Sequence, residues 1–323
     1  MRLISHSQHQ KLNRFRESRQ DMSTPVVVLY HDVAAKASAF EESIGVTTFP
    51  EQFSEHIKYF SRNYDFISLD DVLADDLPKR PLLLTFDDAY RSVLDIARQT
   101  LAPSGIPAIL FTNPNLLAPS PPSLDNMLSW FTVRHGLPVL CEKMGFTQVS
   151  SLGELLQGRI ALMGSEDRQL LRAKLMQEGA ITCAELNDRS PILTAADVRE
   201  LPTLGVEIGN HTASHVHCRS LSVYERKLEL EQSRHKLEEI SGRRVRSFSF
   251  PYGNLADMTP EVLCSLRSSG HQAIFLVHAR SNAIRPAKDV WYRNSLHNEP
   301  SSKLRMELRI KPLLRTFNAM LRQ

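Results

Sequence analysis

Continuous apolar runs that end in polar or glycine-containing clusters recur along the chain. Runs of this length, flanked by Gly or Pro, are typical of strands that are buried on both faces of a parallel sheet. They are PVVVLYHD (25–32), RPLLLTFDD (80–88), IPAILFTN (106–113), GVEIGNH (205–211), RSFSFPYG (246–253) and HQAIFLVH (271–278). The pattern predicts six buried strands.

Helical patterns separate most of these runs. Apolar residues recur at helical spacing in FPEQFSEHIKYFSRNY (49–64) and in YRSVLDIARQTLAPSG (90–105). The segment SVYERKLELEQSRHKLEEISG (222–242) stops at Gly242, as a helix with a C-terminal glycine cap does. This alternation predicts an α/β fold, either a (β/α) barrel or a doubly wound sheet.

One stretch is too long for a single crossover between strands. Residues 114–190 open with a proline-rich loop and continue into helical patterns, so we interpret them as a mainly helical insertion. The insertion either shapes a substrate groove at the loop end of a barrel or is a decorative or dimerising element. The predicted organisation is a flexible N-terminus (1–24), a barrel domain (25–300) that contains the insertion, and a C-terminal segment (301–323).

Composition predicts a folded protein that binds no nucleic acid. Hydrophobic residues make up 42% and charged residues 23% of the chain, and the net charge is only +3. The first 24 residues lack the apolar stretch of a secretory signal, and no run reaches the ~18 apolar residues of a membrane span. We therefore expect a cytoplasmic protein. No C-x-x-C pair occurs, so ordinary buried thiols are expected at Cys141, Cys183, Cys218 and Cys264.

Two histidines follow the fourth predicted strand. In GNHTASHVHC (209–218), His211 and His215 are four residues apart, so a helical turn would bring both rings to one metal ion. A polar turn that is merely rich in imidazole fits the same spacing. The pair alone is a weak signal.

Two adjacent carboxylates end the second predicted strand. In a continuing strand Asp87 and Asp88 would point to opposite faces, whereas a strand that ends at Phe86 lets both face a site at its carboxyl edge. Barrel enzymes keep their active groups at that edge. A plain Asp-Asp turn is the alternative. Combined with the two histidines, one carboxylate completes a zinc-type site and the other is free to act as a base.

Three motifs in this order, TFDDAY, HTASH and RSFSFPYG, resemble those of the polysaccharide deacetylases, the NodB-homology group of carbohydrate esterases. The resemblance covers residues 25–113 and 190–297. It implies a distorted (β/α) barrel and the hydrolytic removal of an acetyl group from a sugar, most often from N-acetylglucosamine units. The segment LYHDV (29–33) is similar to the N-terminal strand of the poly-N-acetylglucosamine deacetylase branch.

The resemblance implies a role for each motif residue. Asp88, His211 and His215 would hold a divalent metal, with Zn²⁺ expected, and Asp87 would be the general base. The backbone N–H of Tyr252 would join in stabilising the oxyanion.

The general acid and the substrate contacts are further expectations. The resemblance assigns the acid role to His31; a structural pair with Asp32 is the alternative. Pro251 and Tyr252 are expected to contact substrate. An exposed Trp130 in the insertion would offer a platform for a sugar face, and a core position for this residue is the alternative.

The sequence departs from the family pattern at several positions. Ala89 replaces the glycine that usually follows the paired aspartates, and Ser249 stands where many members have an arginine that orients the base. Arg293 and His297, in WYRNSLHN, only loosely resemble a late strand of the family. These changes put the groups around the metal ligands in doubt more than the ligands themselves.

The expected function is metal-dependent deacetylation of an acetylated amino sugar in an oligo- or polysaccharide or a glycan precursor. An inactive carbohydrate-binding relative and a hydrolase of another C–N bond, such as a cyclic amide, are the alternatives. The basic segment 301–323 is either an amphipathic anchor at the inner membrane face or a terminal helix packed on the barrel. In both cases Pro312 should break or kink a continuous helix.

Overall fold

The computed structural model describes residues 24–179, 181–182, 184–185, 189, 191–278, 280–283 and 285–315. The N-terminal segment 1–23, the last residues 316–323 and Cys183, about which the sequence makes predictions, lie outside these residues.

Seven parallel strands close into a barrel. Going round it, β1 pairs with β10, and the order continues through β9, β8, β7, β6 and β5 back to β1; the short β4 adds to β5, and β2 pairs with β3 outside the barrel. The strands are β1 Val26–Tyr30, β2 Asp32–Val33, β3 Thr47–Thr48, β4 Asp65–Phe66, β5 Pro81–Asp87, β6 Ala108–Thr112, β7 Val206–Asn210, β8 Ser247–Ser249, β9 Ala273–Val277 and β10 Val290–Ser295. The expected α/β barrel is confirmed.

The helices of the barrel follow the predicted pattern. They are α1 Pro50–Asn63, α2 Leu69–Ala74, α3 Ser92–Ile96, α8 Ala195–Glu200, α9 Val223–Arg226, α10 Ser233–Ser241 and α11 Pro260–Ser268. In α1 a proline opens the first turn, and Phe53, Ile57 and Phe60 lie on one buried face. Capping boxes begin α2, α8 and α9.

The barrel buries both faces of its strands, which explains their continuous apolar sequence. Alternate residues such as Val27, Leu83 and Phe275 fill the interior, while their neighbours pack against the surrounding helices. The interior leaves no room for a side chain at Gly209, where a Cβ atom would lie 2.3 Å from the ring of Phe111. Close packing therefore fixes residue size even at single positions.

The insertion folds into helices around a second core, which Phe40 from outside the insertion also joins. Its helices are α4 Leu124–His135, α5 Leu137–Met144, α6 Leu152–Gln157 and α7 Ser165–Gly179. Trp130 is only 2% exposed and packs against Phe40 in this core. The expectation of an exposed platform at Trp130 is therefore wrong, because α4 turns this indole toward the helices of the insertion.

The C-terminal segment packs one side on the barrel and leaves another side in solvent. Leu304 and Leu308 are buried in the core beneath α1, whereas Met306 and Leu314 are 45% and 53% exposed. The helix continues past Pro312, after a π turn over Met306–Ile310. The wider turn thus precedes the proline, which does not end the helix.

Two further findings bear on the sequence predictions. Cys141 and Cys218 are buried as expected, but Cys264 is exposed, because it lies on the outer side of α11. Among the described residues no helix has the length and apolar character needed to cross a bilayer.

Candidate metal centre and active site

The site forms at the carboxyl ends of the barrel strands. Strand β5 ends at Asp87, one residue later than predicted, and Asp88 has a left-handed backbone with φ of 70°. This conformation is uncommon for a residue with a Cβ atom, and it turns the chain out of the strand direction. As a result both carboxylates line one cavity instead of facing opposite sides of a strand.

The HTASH segment is a tight turn, not a turn of α-helix. His211 follows β7 directly, and Thr212 and His215 both have a positive φ, of 63° and 56°. Glu229 holds the turn by accepting hydrogen bonds of 2.8 and 3.0 Å from two of its backbone N–H groups. The ring centroids of the two histidines lie 5.1 Å apart. They converge through this turn and not through the helical spacing that was expected.

Asp88, His211 and His215 each offer a ligand atom, and these atoms lie within 4.8 Å of one another. Asp88 Oδ1 is 3.5 Å from Nε2 of His215 and 3.8 Å from Nε2 of His211. Ligand atoms about 2.1 Å from a tetrahedrally coordinated ion are separated by about 3.4 Å, so the spacing suits such an ion.

The hydrogen bonds of both histidines leave Nε2 free to bind a metal. Nδ1 of His211 donates to the backbone carbonyl of Ser249 at 2.8 Å, and Nδ1 of His215 donates to Asp125 at 2.7 Å. A carbonyl oxygen only accepts, so Nδ1 of His211 carries the hydrogen and its Nε2 carries the lone pair. The residues present therefore fit a divalent metal with two imidazole ligands and one carboxylate.

Burial controls the protonation of these groups. It lowers the pKa of His211 to about 3, so at pH 7 this imidazole is uncharged and can bind a metal through Nε2. It raises the pKa of Asp88 to about 6, against the opposing effect of His215. Burial would also lower the pKa of His215, but Asp88 and Asp125 raise it overall. A bound cation would favour the ionised carboxylate.

Asp87 is held in the ionised form by an arginine inside the barrel. Arg293 donates two hydrogen bonds of 2.6 Å to the Asp87 carboxylate, and the two residues are 0% and 2% exposed. Burial alone would raise the pKa of Asp87, but Arg293 and His211 lower it overall. This bidentate contact also fixes the orientation of the carboxylate.

The contact of Arg293 with Asp87 is not evident from the sequence motifs. The position where many family members have the orienting arginine is Ser249, and its hydroxyl accepts a hydrogen bond of 2.5 Å from the Arg293 guanidinium. The arginine thus comes from β10, a strand whose sequence, VWYRNS, has no continuous apolar run. Alternation within this stretch, with Trp291 and Arg293 on one face, is the signal that could have found it.

His31 lies directly after β1 and lines the same cavity. Its Nδ1 is buried without a hydrogen-bond partner among the described residues, and burial lowers its pKa to about 4. Asp32 instead accepts a hydrogen bond of 2.9 Å from the hydroxyl of Ser92. The imidazole is therefore neutral at pH 7 and faces the space beside Asp87.

The PYG turn places Tyr252 at the wall of the cavity. Tyr252 lines the cavity with φ of 61°, its hydroxyl donates to Asp125, and its ring stacks on His217 at 3.9 Å. Pro251 is buried, and neither it nor Trp130 is among the described residues that line the cavity. The burial of Trp130 contradicts the expected sugar platform, whereas the expected contact of Pro251 with substrate stays a prediction.

The insertion forms part of the cavity wall. The cavity has a volume of about 200 Å³ and is bounded on one side by the metal-site residues. The insertion lines it with Leu116, Pro121, Pro122, Ser123, Asp125, Asn126, Leu156 and Arg189. Ala89, at the position usually occupied by glycine, also lines it. Of the two roles considered for the insertion, shaping the substrate site is the one that this geometry favours.

The carboxyl edge of the parallel barrel carries an Asp-His-His cluster that could hold a metal ion, and beside it a second aspartate that an arginine holds. The family description "Polysaccharide deacetylase" matches residues 176–274, which include both histidines but not the paired aspartates. Residues 176–274 thus match the family that the sequence motifs predicted. No curated protein matches the chain significantly.

Solved structures share the fold over most of the chain. The deacetylase PplD of Streptococcus pyogenes, in complex with acetate, is 14% identical with a TM-score of 0.59, covering 88% of this chain and 98% of that one. A de-N-acetylase from Aggregatibacter actinomycetemcomitans is 17% identical with a TM-score of 0.57, at 88% and 99% coverage. IcaB from Ammonifex degensii is 18% identical with a TM-score of 0.54, at 88% and 96% coverage.

Proposed function

We propose that this protein is a metal-dependent hydrolase that removes the acetyl group from an acetylated amino sugar of the N-acetylglucosamine type, in a polysaccharide or a glycan precursor. One observation carries the proposal: Asp87, clamped by Arg293, lines the same cavity as the Asp88, His211 and His215 cluster. A base and a metal site side by side are what amide hydrolysis by water requires.

The metal expected at this site is Zn²⁺. Two imidazoles and one carboxylate are the ligand set of several catalytic zinc sites, and they leave a position for water or substrate. When bound, the metal supplies Lewis-acid polarisation of the acetyl carbonyl and lowers the pKa of water.

Residues of the chain supply the base, the oxyanion donor and the acid of the reaction. Asp87 accepts the proton of the attacking water, whose oxygen forms a bond to the acetyl carbon, and Arg293 keeps this carboxylate ionised and aimed. The backbone N–H of Tyr252 donates to the negative charge that develops on the carbonyl oxygen. The C–N bond then breaks, His31 gives a proton to the departing amine, and the products are acetate and the free amino sugar.

His31 must receive its proton during the reaction. With a pKa of about 4 it is neutral at pH 7, and a protonated imidazole in this environment is a strong acid. The proton that Asp87 removes from water is the natural source, because both residues line one cavity and the charge of Asp87 favours protonated His31.

The alternatives differ in what they require of Asp87. A protein that only binds carbohydrate has no need for a carboxylate that is not a ligand, nor for an arginine that holds it. A hydrolase of a cyclic amide would use the same groups, and it differs in substrate alone. The clamp on Asp87 therefore favours an enzyme over a binding module.

The test is acetate release from a panel of N- and O-acetylated oligosaccharides of different lengths, with metal content measured in parallel. Asp88→Ala, His211→Ala and His215→Ala should each lose metal and activity, whereas Asp87→Asn should keep the metal and lose turnover. A fully metal-loaded protein that releases no acetate from any substrate would favour the binding module. Full activity of Asp87→Asn would show that another group is the base.

We also propose that the C-terminal helix contacts an anionic membrane surface, which would bring the enzyme to a lipid-linked glycan at the inner face. Met306, Ile310 and Leu314 are 45%, 37% and 53% exposed and follow one another at a spacing of four. Basic residues accompany this stripe: Lys303, Arg305, Arg309, Lys311 and Arg315. Each Lys or Arg near an anionic surface adds about 1 kcal/mol to binding.

Vesicle co-sedimentation tests the membrane contact. Because Leu304 and Leu308 belong to the core, replacing the three exposed residues by serine is a cleaner change than truncation. The unchanged protein should bind anionic vesicles in a salt-sensitive way, and the triple variant should not. A control variant replaces Val223 and Tyr224, exposed residues on α9, by serine. Equal binding by all three proteins, or by none, would contradict the proposal.

A further inference from the structure

A carboxylate from the insertion reaches into the metal centre. Asp125 lies in the first turn of α4, is only 4% exposed and lines the cavity beside the ligand cluster. Its Oδ2 is 2.7 Å from Nδ1 of His215, in sequence 90 residues away. Nothing in the barrel motifs points to this residue, because it lies outside every strand that carries them.

The contact fixes which nitrogen of His215 faces the cluster. An ionised carboxylate accepts hydrogen bonds only, so Nδ1 of His215 carries a hydrogen and donates it to Asp125. The lone pair is then on Nε2, the atom that lies 3.5 Å from Asp88 Oδ1. A carboxylate in this place also makes the imidazole a more basic ligand.

Asp125 is itself held from a second side. The hydroxyl of Tyr252 donates to its two oxygens at 2.7 and 2.8 Å. A second helix of the insertion, α7, supplies Arg168, which donates to the backbone carbonyl of His215 at 3.1 Å. The insertion thus holds both the side chain and the backbone of His215. Its φ of 56° is uncommon for a residue with a Cβ atom and persists only when the surrounding structure supports it.

We propose that Asp125 is a positioning residue that fixes His215 for metal binding, so that the insertion is a structural part of the metal centre as well as a wall of the cavity. The inference rests on the metal site of the proposed function. A helix outside the barrel thereby raises the affinity of the barrel for its metal.

The experiment measures metal affinity by competition with a chromophoric zinc chelator, using full-length protein stripped of metal. Asp125→Ala should weaken binding about 10–100-fold, and Asp125→Asn, whose amide oxygen still accepts a hydrogen bond, should lose less. Asp257→Ala is the matched control. Asp257 is also fully buried and its Oδ2 lies 2.8 Å from Nδ1 of a histidine, but that histidine, His217, is not one of the proposed metal ligands. We expect it to change affinity less than twofold.

A purely structural role would lower the thermal stability of the metal-free protein without changing the affinity of the folded fraction. Affinities of both Asp125 variants within twofold of the parent would overturn the inference. Failure of the unsubstituted protein to bind metal would instead overturn the proposed function. If neither variant folds, nitrogen-15 NMR of the metal-loaded parent decides. Nδ1 of His215 must be protonated and must donate a hydrogen bond to a carboxylate. A metal bound to Nδ1 would refute the proposal.

Discussion

The pair of Arg293 and Asp87 allows the clearest quantitative prediction. Two unit charges about 4 Å apart interact by about 4 kcal/mol at an effective dielectric constant of about 20. Both side chains are essentially buried, so removing one leaves the other charged and unpaired. Arg293→Met should therefore lower the free energy of unfolding by about 3–5 kcal/mol.

A double-mutant cycle separates the pair from general damage to the core. Urea unfolding of the metal-free protein would be measured for the parent, Arg293→Met, Asp87→Asn and the double variant. The double variant has no buried unpaired charge, so it should be at least 2 kcal/mol more stable than the sum of the two single effects predicts.

The same substitution has a kinetic consequence. Without Arg293, burial raises the pKa of Asp87, so the proposed base is protonated at pH values where it is now ionised. The acid limb of the kcat/KM profile should move to higher pH in Arg293→Met. Additive stability effects, within about 0.5 kcal/mol, together with an unchanged acid limb would refute the reasoning.

Three further predictions follow from single residues. His31→Ala should lower kcat for an N-acetyl amide by about 10²–10⁴ but affect an activated aryl acetate much less, because that leaving group needs no proton; equal losses would make His31 structural. Trp130→Ala should destabilise the protein by about 3–5 kcal/mol in urea unfolding, as expected for a buried indole, without changing KM for long oligosaccharides relative to short ones. A KM effect without destabilisation would contradict its core position. Burial lowers the pKa of His271 to about 4, below about 6.5 in the unfolded chain, so the unfolded state binds more protons between these values. The contribution of His271 to stability should fall by about 3 kcal/mol as pH drops from 6.5 to 4, so His271→Gln should reduce the slope of stability against pH in urea unfolding; an unchanged slope would contradict this prediction.

The sequence pattern was sufficient for most of the framework. All six predicted strands occur, because a strand buried on both faces needs a continuous apolar run that is visible locally. Helix α1 and the Gly242 cap likewise follow from spacing and from the left-handed conformation that glycine adopts easily. The candidate ligands Asp88, His211 and His215 could be chosen from residue type, since few side chains bind a metal.

Tertiary structure decided the contacts that bring distant residues together. Strand β10 closes the barrel although VWYRNS lacks an apolar run, and only closure places Arg293 against Asp87. The insertion places Trp130 in the core around its helices and Asp125 beside the candidate metal ligands, although the two residues lie in the same helix. Local sequence sets the periodicity of an element and the chemistry of its side chains. Which partner each side chain meets depends on packing between segments that are far apart in the chain, and no local pattern encodes it.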